Sequence, residues 1–290
     1  GFESFIYNVR RDEQDFILRI GHDSRRNADL VHGEAEFLNH LASGGLSVPR
    51  VLPSQNGRLV EPIPASDGSH FVVALFEKAQ GKRVTKAQWT PSLSQDMGAF
   101  MGKLHKLSRQ FQPSQARYAR MDIEEDFQQV RSFALKYLPP GDEPILQAYD
   151  ELVAELRSLP KDEASYGLCH IDFHSGNFFI DDQGRITLFD FDDSQYAWYV
   201  YDIAMALFYV ISHDCRNPEA LAQAQSFLSD FWAGYRTQYD LEPAWLLEIP
   251  KFLRLRELDL YIIIYRSFDI NDLDPWCASF MKDRREKILS

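Results

Sequence analysis

The sequence predicts an α+β protein of two lobes, a small strand-rich lobe over residues 1–79 and a larger, mainly helical one over 80–290. Three observations carry that expectation. Before residue 80, apolar residues cluster in short runs rich in β-branched and aromatic side chains, separated by polar turns, with one helical stretch among them. From Gly81 onward the apolar spacing becomes that of helices. A single hairpin pattern, "FFI-DDQGR-ITLFDF", interrupts the helical part around a Gly-containing turn.

Taken in order, "SFIYNV" and "DFILRI" flank the polar turn "RRDEQ" and read as a hairpin. A helix follows over about Asn27 to Ser43, with Leu30, Phe37, Leu38 and Leu41 at helical spacing and Gly44-Gly45 as the stop. Short strands are expected at "SVPRVL", "GRLVEP" and "HFVVALFE". Thr90-Pro91 is a helix start, with a capping hydroxyl and a proline in the first turn. Leu93, Met97, Phe100, Met101, Leu104 and Leu107 line that helix's apolar face. Further helices are expected near 123–137, 142–158, 200–212, 217–237, 243–268 and 274–288.

Composition narrows the function classes. The chain has 31 basic and 43 acidic residues, a formal charge of −12, which argues against a general nucleic-acid binder. That acidity would suit a cationic substrate, and equally an ordinary solvated surface. No run of about 18 apolar residues predicts a membrane span, and "GFESFIYNVRRDEQ" lacks a signal-peptide layout. Cys169, Cys215 and Cys277 are odd in number and widely spaced, which fits a reducing, cytoplasmic setting.

The densest chemistry lies in "GLCHIDFHSGNFFI", residues 167–180. His170, Asp172 and His174 alternate as zinc ligands on one strand face would, but a zinc site usually needs three protein ligands or more and the remaining histidines are scattered, with no H-x-H or H-x-x-x-H pair. A turn merely capping its own backbone is a second reading. Phosphoryl transfer is the third. His170-x-Asp172 followed by Asn177 has the H-x-D-x-x-x-x-N spacing of a protein-kinase catalytic loop, with Ile171 in place of the arginine. Thirteen residues after Asn177, Asp190 ends the hairpin's second strand. Oxygen ligands from Asn177 and Asp190 suit magnesium on the phosphates of ATP, and Asp172 is a separate carboxylate to receive or orient the acceptor's hydroxyl proton.

With these motifs in view, the chain resembles the aminoglycoside phosphotransferase, choline kinase and type II homoserine kinase family, which has a protein-kinase-like fold. "HIDFHSGNFFI" matches the family's H-x-D-x-H-x-G-N loop, "ITLFDFDDS" its metal-aspartate strand, and "WYVYDIAMAL" the helix after it. "GEAEFLNHL" with "LSVPRVL", "VVALFEKAQGKRV" and "MGAFMGKLHKL" extend the likeness nearly end to end, closest in appearance to the bacterial homoserine-kinase-like and stress-response-kinase-like branch.

The resemblance implies ATP and Mg2+ as cofactors, ATP in a cleft between the lobes, and a small hydroxyl-bearing acceptor such as an amino alcohol, homoserine-like compound or aminosugar. It makes Asp172 the catalytic base and Asn177 and Asp190 the metal ligands. Arg19 becomes the phosphate-binding cation paired with Glu34, preferred over Glu36. Phe76, Glu77 and Ala79 become the adenine side. His170, His174, Asp192 and Asp202 become supports. Arg256, Glu257 and Tyr261, within five positions of one late helix, are candidates for the acceptor. Two departures from the pattern stand out. Of the expected first strand and glycine-rich loop only "GFESF" is present, and eleven residues separate Asp190 from Asp202, with no A-P-E. The short segment favours a small acceptor over a peptide. A Ser/Thr protein kinase of this fold and a non-catalytic nucleotide-binding regulator remain as alternatives.

Overall fold

The computed structural model describes residues 4–211 and 218–290. The first three residues of "GFESF", His213, Cys215 and the expected helix limits at 212 and 217 lie outside the described residues.

The strands are β1 (Phe5–Arg11), β2 (Gln14–His22), β3 (Val51–Leu52), β4 (Glu61–Pro64), β5 (His70–Glu77), β6 (Tyr166–Cys169), β7 (Phe178–Ile180), β8 (Ile186–Leu188) and β9 (Gln195–Trp198). The helices are α1 (Ala28–Ser43), α2 (Pro91–Ser108), α3 (Ile123–Tyr137), α4 (Glu143–Arg157), α5 (Tyr199–Val210), α6 (Pro218–Tyr235), α7 (Ile249–Ser267), α8 (Pro275–Met281) and α9 (Arg284–Leu289). They form two compact units. Unit 1 takes residues 1–121, 167–196 and 228–240, and unit 2 takes 122–166, 197–227 and 241–290.

Unit 1 is built on a five-stranded antiparallel sheet in the order β1-β2-β5-β3, with β4 also on β5. The β1–β2 turn is tight because Asp12 and Glu13 both adopt left-handed backbone, with φ of 49° and 62°, the geometry that follows the strands' own twist. Register then sets faces. Arg19 pairs with Ile6 on one side and Ala74 on the other, so it shares the sheet face of buried Val72 and Ala74. Helix α1 packs on this sheet. It starts at Asn27, whose side chain accepts a bond from the Leu30 amide at 2.9 Å, and it buries Val31, Glu34, Ala35, Phe37, Leu38 and Leu41.

Helix α2 starts at Thr90 as its sequence indicates, the hydroxyl accepting from the Leu93 amide. It buries Leu93, Met97, Met101 and Leu104, while Phe100 and Leu107 are half-buried. Its crossing with the C-terminal half of α6 is too close for side chains. A Cβ on Gly98 would lie 1.8 Å from the Phe231 carbonyl oxygen, and one on Gly234 1.8 Å from that of Gln95. The β7–β8 hairpin completes unit 1. It is tied to the chain after β5 by paired backbone bonds between Lys82 and Ile180 (3.0 and 2.9 Å). Gly81 permits this approach, because a Cβ there would sit 2.5 Å from the Ile180 oxygen.

Unit 2 is a helical layer around α7, which packs against α3, α4, α5 and α9. Phe252, Leu255, Leu258 and Ile262 make its fully buried side, a helical spacing. Leu253 and Phe268, also apolar, are half-buried.

Several boundaries differ from the sequence expectation for identifiable reasons. "SVPRVL" contributes strand only at Val51–Leu52, past Pro49, which has no amide to donate. "GRLVEP" yields to Glu61–Pro64, because Ser54 and Arg58 close a turn whose Gly57 has φ of 76°. The expected helix over 243–268 is a 3-10 segment, Pro243–Glu248, followed by α7, with Pro250 in its first turn. That over 274–288 breaks at Asp283, φ 54°, into α8 and α9. Strand β9 has no counterpart in the expectation.

Candidate active site

The site in unit 1 is organised by the β7–β8 hairpin. Phe178 faces Leu188 in register, and the Phe189 amide donates to the Asn177 carbonyl at 2.9 Å. The ladder therefore continues one step beyond the strands and sets Asp190 next to Asn177. Two residues here leave ordinary backbone space, Ile171 with φ of 71° and Asp190 with φ of 66°. For a β-branched residue that conformation is an outlier costing about 1–3 kcal/mol, held only when its surroundings over-determine it.

Those surroundings are specific. Fully buried His170 accepts at Nδ1 from the Asp172 amide (3.1 Å), and its Nε2 bonds the Phe189 carbonyl (3.1 Å). One ring thus joins the loop to the hairpin, with Phe191 edge-on at 4.5 Å between ring centres. His174 accepts the Gly176 amide at Nδ1 (2.9 Å), leaving Nε2 to donate to Asp172 Oδ2 (3.2 Å). Gly176 is required by this packing, since a Cβ would fall 2.5 Å from the imidazole. Asn177 Nδ2 donates to both the main-chain oxygen (3.0 Å) and Oδ2 (2.8 Å) of Asp172. Both nitrogens of His170 and of His174 are therefore engaged, which removes the zinc reading.

The amide nitrogen of Asn177 is committed to Asp172, so its carbonyl oxygen is the end presented away from it. Asp190 is crowded by acids. Burial, then Asp193, Asp192 and Glu34, push its carboxyl up to about 6 against the pull of Arg19. The residue still reaches solvent, which screens part of that repulsion. A hard divalent cation fits this donor set, a carboxylate and an amide oxygen beside further carboxylates that it would neutralise.

Arg19 forms a bidentate pair with Glu34, at 2.9 and 2.5 Å. Its guanidinium lies 4.9 Å from the centre of the Phe76 ring and 3.8 Å from Asp192 Oδ1. Burial opposes the Arg19 charge, but Glu34, Asp192 and Asp190 outweigh it and hold its pKa above the ordinary value. Glu36 instead accepts the amide and hydroxyl of Ser114. Asp192 takes bonds from Arg25 at 2.8 Å, and Asp193 from Arg25 and Arg26 at 3.1 and 3.2 Å. Burial works against the Asp192 charge, yet Arg19, Arg25, Arg26 and Arg120 together hold its carboxyl below the usual range. On the adenine side, Glu77 ends β5. Its amide donates to the Arg50 carbonyl (2.8 Å) and its carboxylate accepts the Arg50 amide (3.1 Å). Ala79 is half-buried just beyond.

In unit 2, Asp202 is fully buried in the first turn of α5. The three late-helix candidates are not gathered around one space. Arg256 donates to the Tyr209 hydroxyl (2.6 Å), Glu257 accepts from Arg284 (2.6 Å), and Tyr261 donates to Asp142 (2.7 Å). Glu257 lines a cavity of about 700 Å3 with Gln147, Glu151, Arg254, Arg284 and Lys287. Tyr261 lines another, of about 530 Å3, and Arg256 lines neither.

Sequence reasoning did not single out Arg25, Arg26 or Arg120. The adjacent basic pair before the Asn27 cap was the available signal for the first two. Arg120, in "YARMD", offers none.

Comparison with known proteins supplies an independent line. A model described as the phosphotransferase enzyme family matches residues 1–240. The amicoumacin kinase of Bacillus subtilis (strain 168) is 39% identical over 273 residues, 93% of this chain and 80% of that one. Among solved structures, amicoumacin kinase hAmiN in complex with AMP-PNP, Ca2+ and Ami superposes with a TM-score of 0.91 at 34% identity, over 100% of this chain and 86% of that one. A microcompartment-associated aminopropanol kinase gives a TM-score of 0.73 at 22% identity, over 99% and 90% of the two chains, a likeness of fold. No helix among the described residues is long and apolar enough to cross a membrane.

Proposed function

Because the chain belongs to the phosphotransferase enzyme family and is a small-molecule kinase, we propose that it moves the γ-phosphoryl group of ATP, with Mg2+, to a hydroxyl of amicoumacin or a chemically related small molecule. The observation that carries this reading is the meeting of Asp172, Asn177 and Asp190 at one hairpin of unit 1, beside the Arg19–Glu34 pair. The ligands named for the 34%-identical neighbour, AMP-PNP and Ca2+, support a nucleoside triphosphate and a divalent cation here. Magnesium is assigned because it suits oxygen donors on phosphates. The name borne by two relatives supports the acceptor class.

In this reading residues 1–79 are the nucleotide-binding lobe and 80–290 carry the catalytic loop, metal site and acceptor site. Arg19, oriented by Glu34, grips phosphate oxygens with a planar fork. Phe76 flanks the adenine, with the Glu77 carbonyl and Ala79 amide at its edge. Asn177 and Asp190 hold the cation, which neutralises and orients the phosphates. Asp172 takes or orients the acceptor hydroxyl's proton. Its Oδ2 already accepts from Asn177 and His174, so the carboxylate is held in one orientation. His170 supports the loop from its buried position, Asp202 keeps the supporting role that the family pattern implies, and Asp192 turns its charge to the arginines. For the acceptor we assign Glu257 of α7, at the wall of its cavity, while Arg256 is engaged with Tyr209 and Tyr261 with Asp142.

The test is phosphoryl transfer from labelled ATP to a panel of amicoumacin, homoserine, aminopropanol, an aminosugar and a generic peptide. Transfer to amicoumacin far above the rest is expected. Transfer to the peptide alone would reject the reading, and preference for another panel member would reassign the acceptor.

A further inference from the structure

Arg120 is 4% exposed and spends its donors on main-chain oxygens. Nε bonds Ser194 (2.9 Å), Nη1 bonds Leu30 (2.8 Å) and Nη2 bonds Asp192 (2.5 Å). Leu30 lies one turn before Glu34 in α1, so its carbonyl belongs to the turn that the Glu34 amide closes. Asp192 and Ser194 lie two and four residues after Asp190. One side chain therefore spans the two segments whose carboxylates matter, all within unit 1.

This contact is made at local expense on both sides. A guanidinium is buried on neutral carbonyls, and burial pushes its pKa down. Opposite it, helix α1 carries Gly33 in its interior, where glycine is disfavoured against alanine. A Cβ on Gly33 would lie 2.0 Å from the Tyr118 oxygen and 3.6 Å from Arg120 Cδ. Glycine is thus what lets the 118–120 segment reach the helix. Departures from local preference concentrated at one contact mark a functional constraint.

We propose that Arg120 is a positioning residue, a crossbar that fixes the chain after Asp190 to the Glu34 turn of α1 and so sets the metal-binding carboxylate against the Arg19–Glu34 pair. The inference rests on the reading of Asp190 as a metal ligand. Fixing the segment at its carbonyls, rather than at its side chains, leaves the Asp190 carboxylate itself uncommitted to Arg120.

Calorimetric titration with AMP-PNP, in Mg2+ and in chelator, gives for each variant the factor by which metal strengthens nucleotide binding. Asp190→Asn is the control and should lose most of that factor. Arg120→Lys and Arg120→Met should each reduce it at least about fivefold, the scale of a coupling between linked sites, with metal-free affinity kept within about twofold. If Arg120→Met does not fold, Arg120→Lys decides. A metal factor unchanged in the Arg120 variants but lost in Asp190→Asn overturns the crossbar alone. An unchanged factor in Asp190→Asn overturns the metal assignment and the crossbar with it. A fall in metal-free affinity as large as that with metal makes Arg120 a general packing residue and also rejects the proposal.

Discussion

Glu34→Leu tests whether the Arg19–Glu34 pair is an electrostatic unit or incidental packing. Glu34 is 1% exposed and accepts two bonds from Arg19, at 2.9 and 2.5 Å. Removing one partner of a buried pair costs about 3–5 kcal/mol, because the other charge stays behind without compensation. Arg19 is not fully stranded, since its side chain is 11% exposed and Asp192 Oδ1 lies 3.8 Å away. A hydrogen bond to a charged group is worth about 1.5–3 kcal/mol, but 3.8 Å is longer than a hydrogen bond, so Asp192 recovers only part of that and the expected loss is about 2–3 kcal/mol. For a chain of this size each kcal/mol moves Tm by about 2–4 °C, a drop of about 4–12 °C. Arg19→Met should cost at least as much, because it leaves a carboxylate that is more deeply buried. The double variant removes both charges and should melt above the sum of the two single losses, since replacing a buried pair by apolar groups is often near neutral. Thermal melts of the three nucleotide-free variants, followed by circular dichroism, supply the comparison. Glu34→Leu melting within about 2 °C of wild type, or a double variant no better than the sum, would refute the reasoning.

Three further outcomes are expected. Asp172→Asn should lower turnover by about 10²–10⁴-fold, the range for a positioned proton acceptor, with nucleotide affinity by calorimetry nearly unchanged; turnover close to wild type would remove it from the mechanism. Metal-dependent nucleotide binding should weaken as pH falls through about 6, where Asp190 takes up its proton, and Asp190→Asn should lack that step in titrations between about pH 5 and 8. The sign for stability is opposite. The folded carboxyl holds its proton more tightly than its ordinary value of 3.8. Its contribution to the metal-free fold is therefore full below that value and lost as pH rises through about 6. Finally, Glu257→Gln should raise the acceptor KM at least about 10-fold, equivalent to about 1.4 kcal/mol. Arg256→Ala, which loses its bond to Tyr209, should lower Tm and leave that KM alone; the reverse pattern in steady-state kinetics and melts would move the acceptor contact to Arg256.

Much of the site was legible because its residues are close in sequence and their order is set by a hairpin. Once "FFI" and "ITL" pair, Asn177 and Asp190 must meet, whatever else the chain does. Arg19 and Glu34 came from the family resemblance alone, because a strand arginine and a helix glutamate carry no mark of their own in the sequence. The preference for Glu34 over Glu36 comes with that resemblance, and the structure adds the reason Glu36 is not the partner, its bonds to Ser114. Arg120 was invisible because its partners are carbonyl oxygens, which every residue carries, so no pattern of residue types marks them. The α7 trio illustrates the opposite failure. Proximity along a helix suggested a shared face, but Arg256 lies about 100° round the helix from Glu257 and about 140° from Tyr261, and Glu257 and Tyr261, although one turn apart, bond to Arg284 and Asp142 respectively. The break at Asp283 was hidden for a third reason, since nothing in a polar stretch tells a left-handed residue from a helical one.

The left-handed backbone at Asp190 bears on how this enzyme would respond to selection for heat resistance. A library screened only for survival at high temperature would favour replacements that let this exposed position relax, glycine or asparagine above all. Such variants would be enriched early and would carry an altered cation site, so thermal fitness and turnover would diverge first at one point rather than drifting apart over the whole chain. Ile171, equally left-handed but buried, would resist the same change, because the packing lost exceeds the strain relieved.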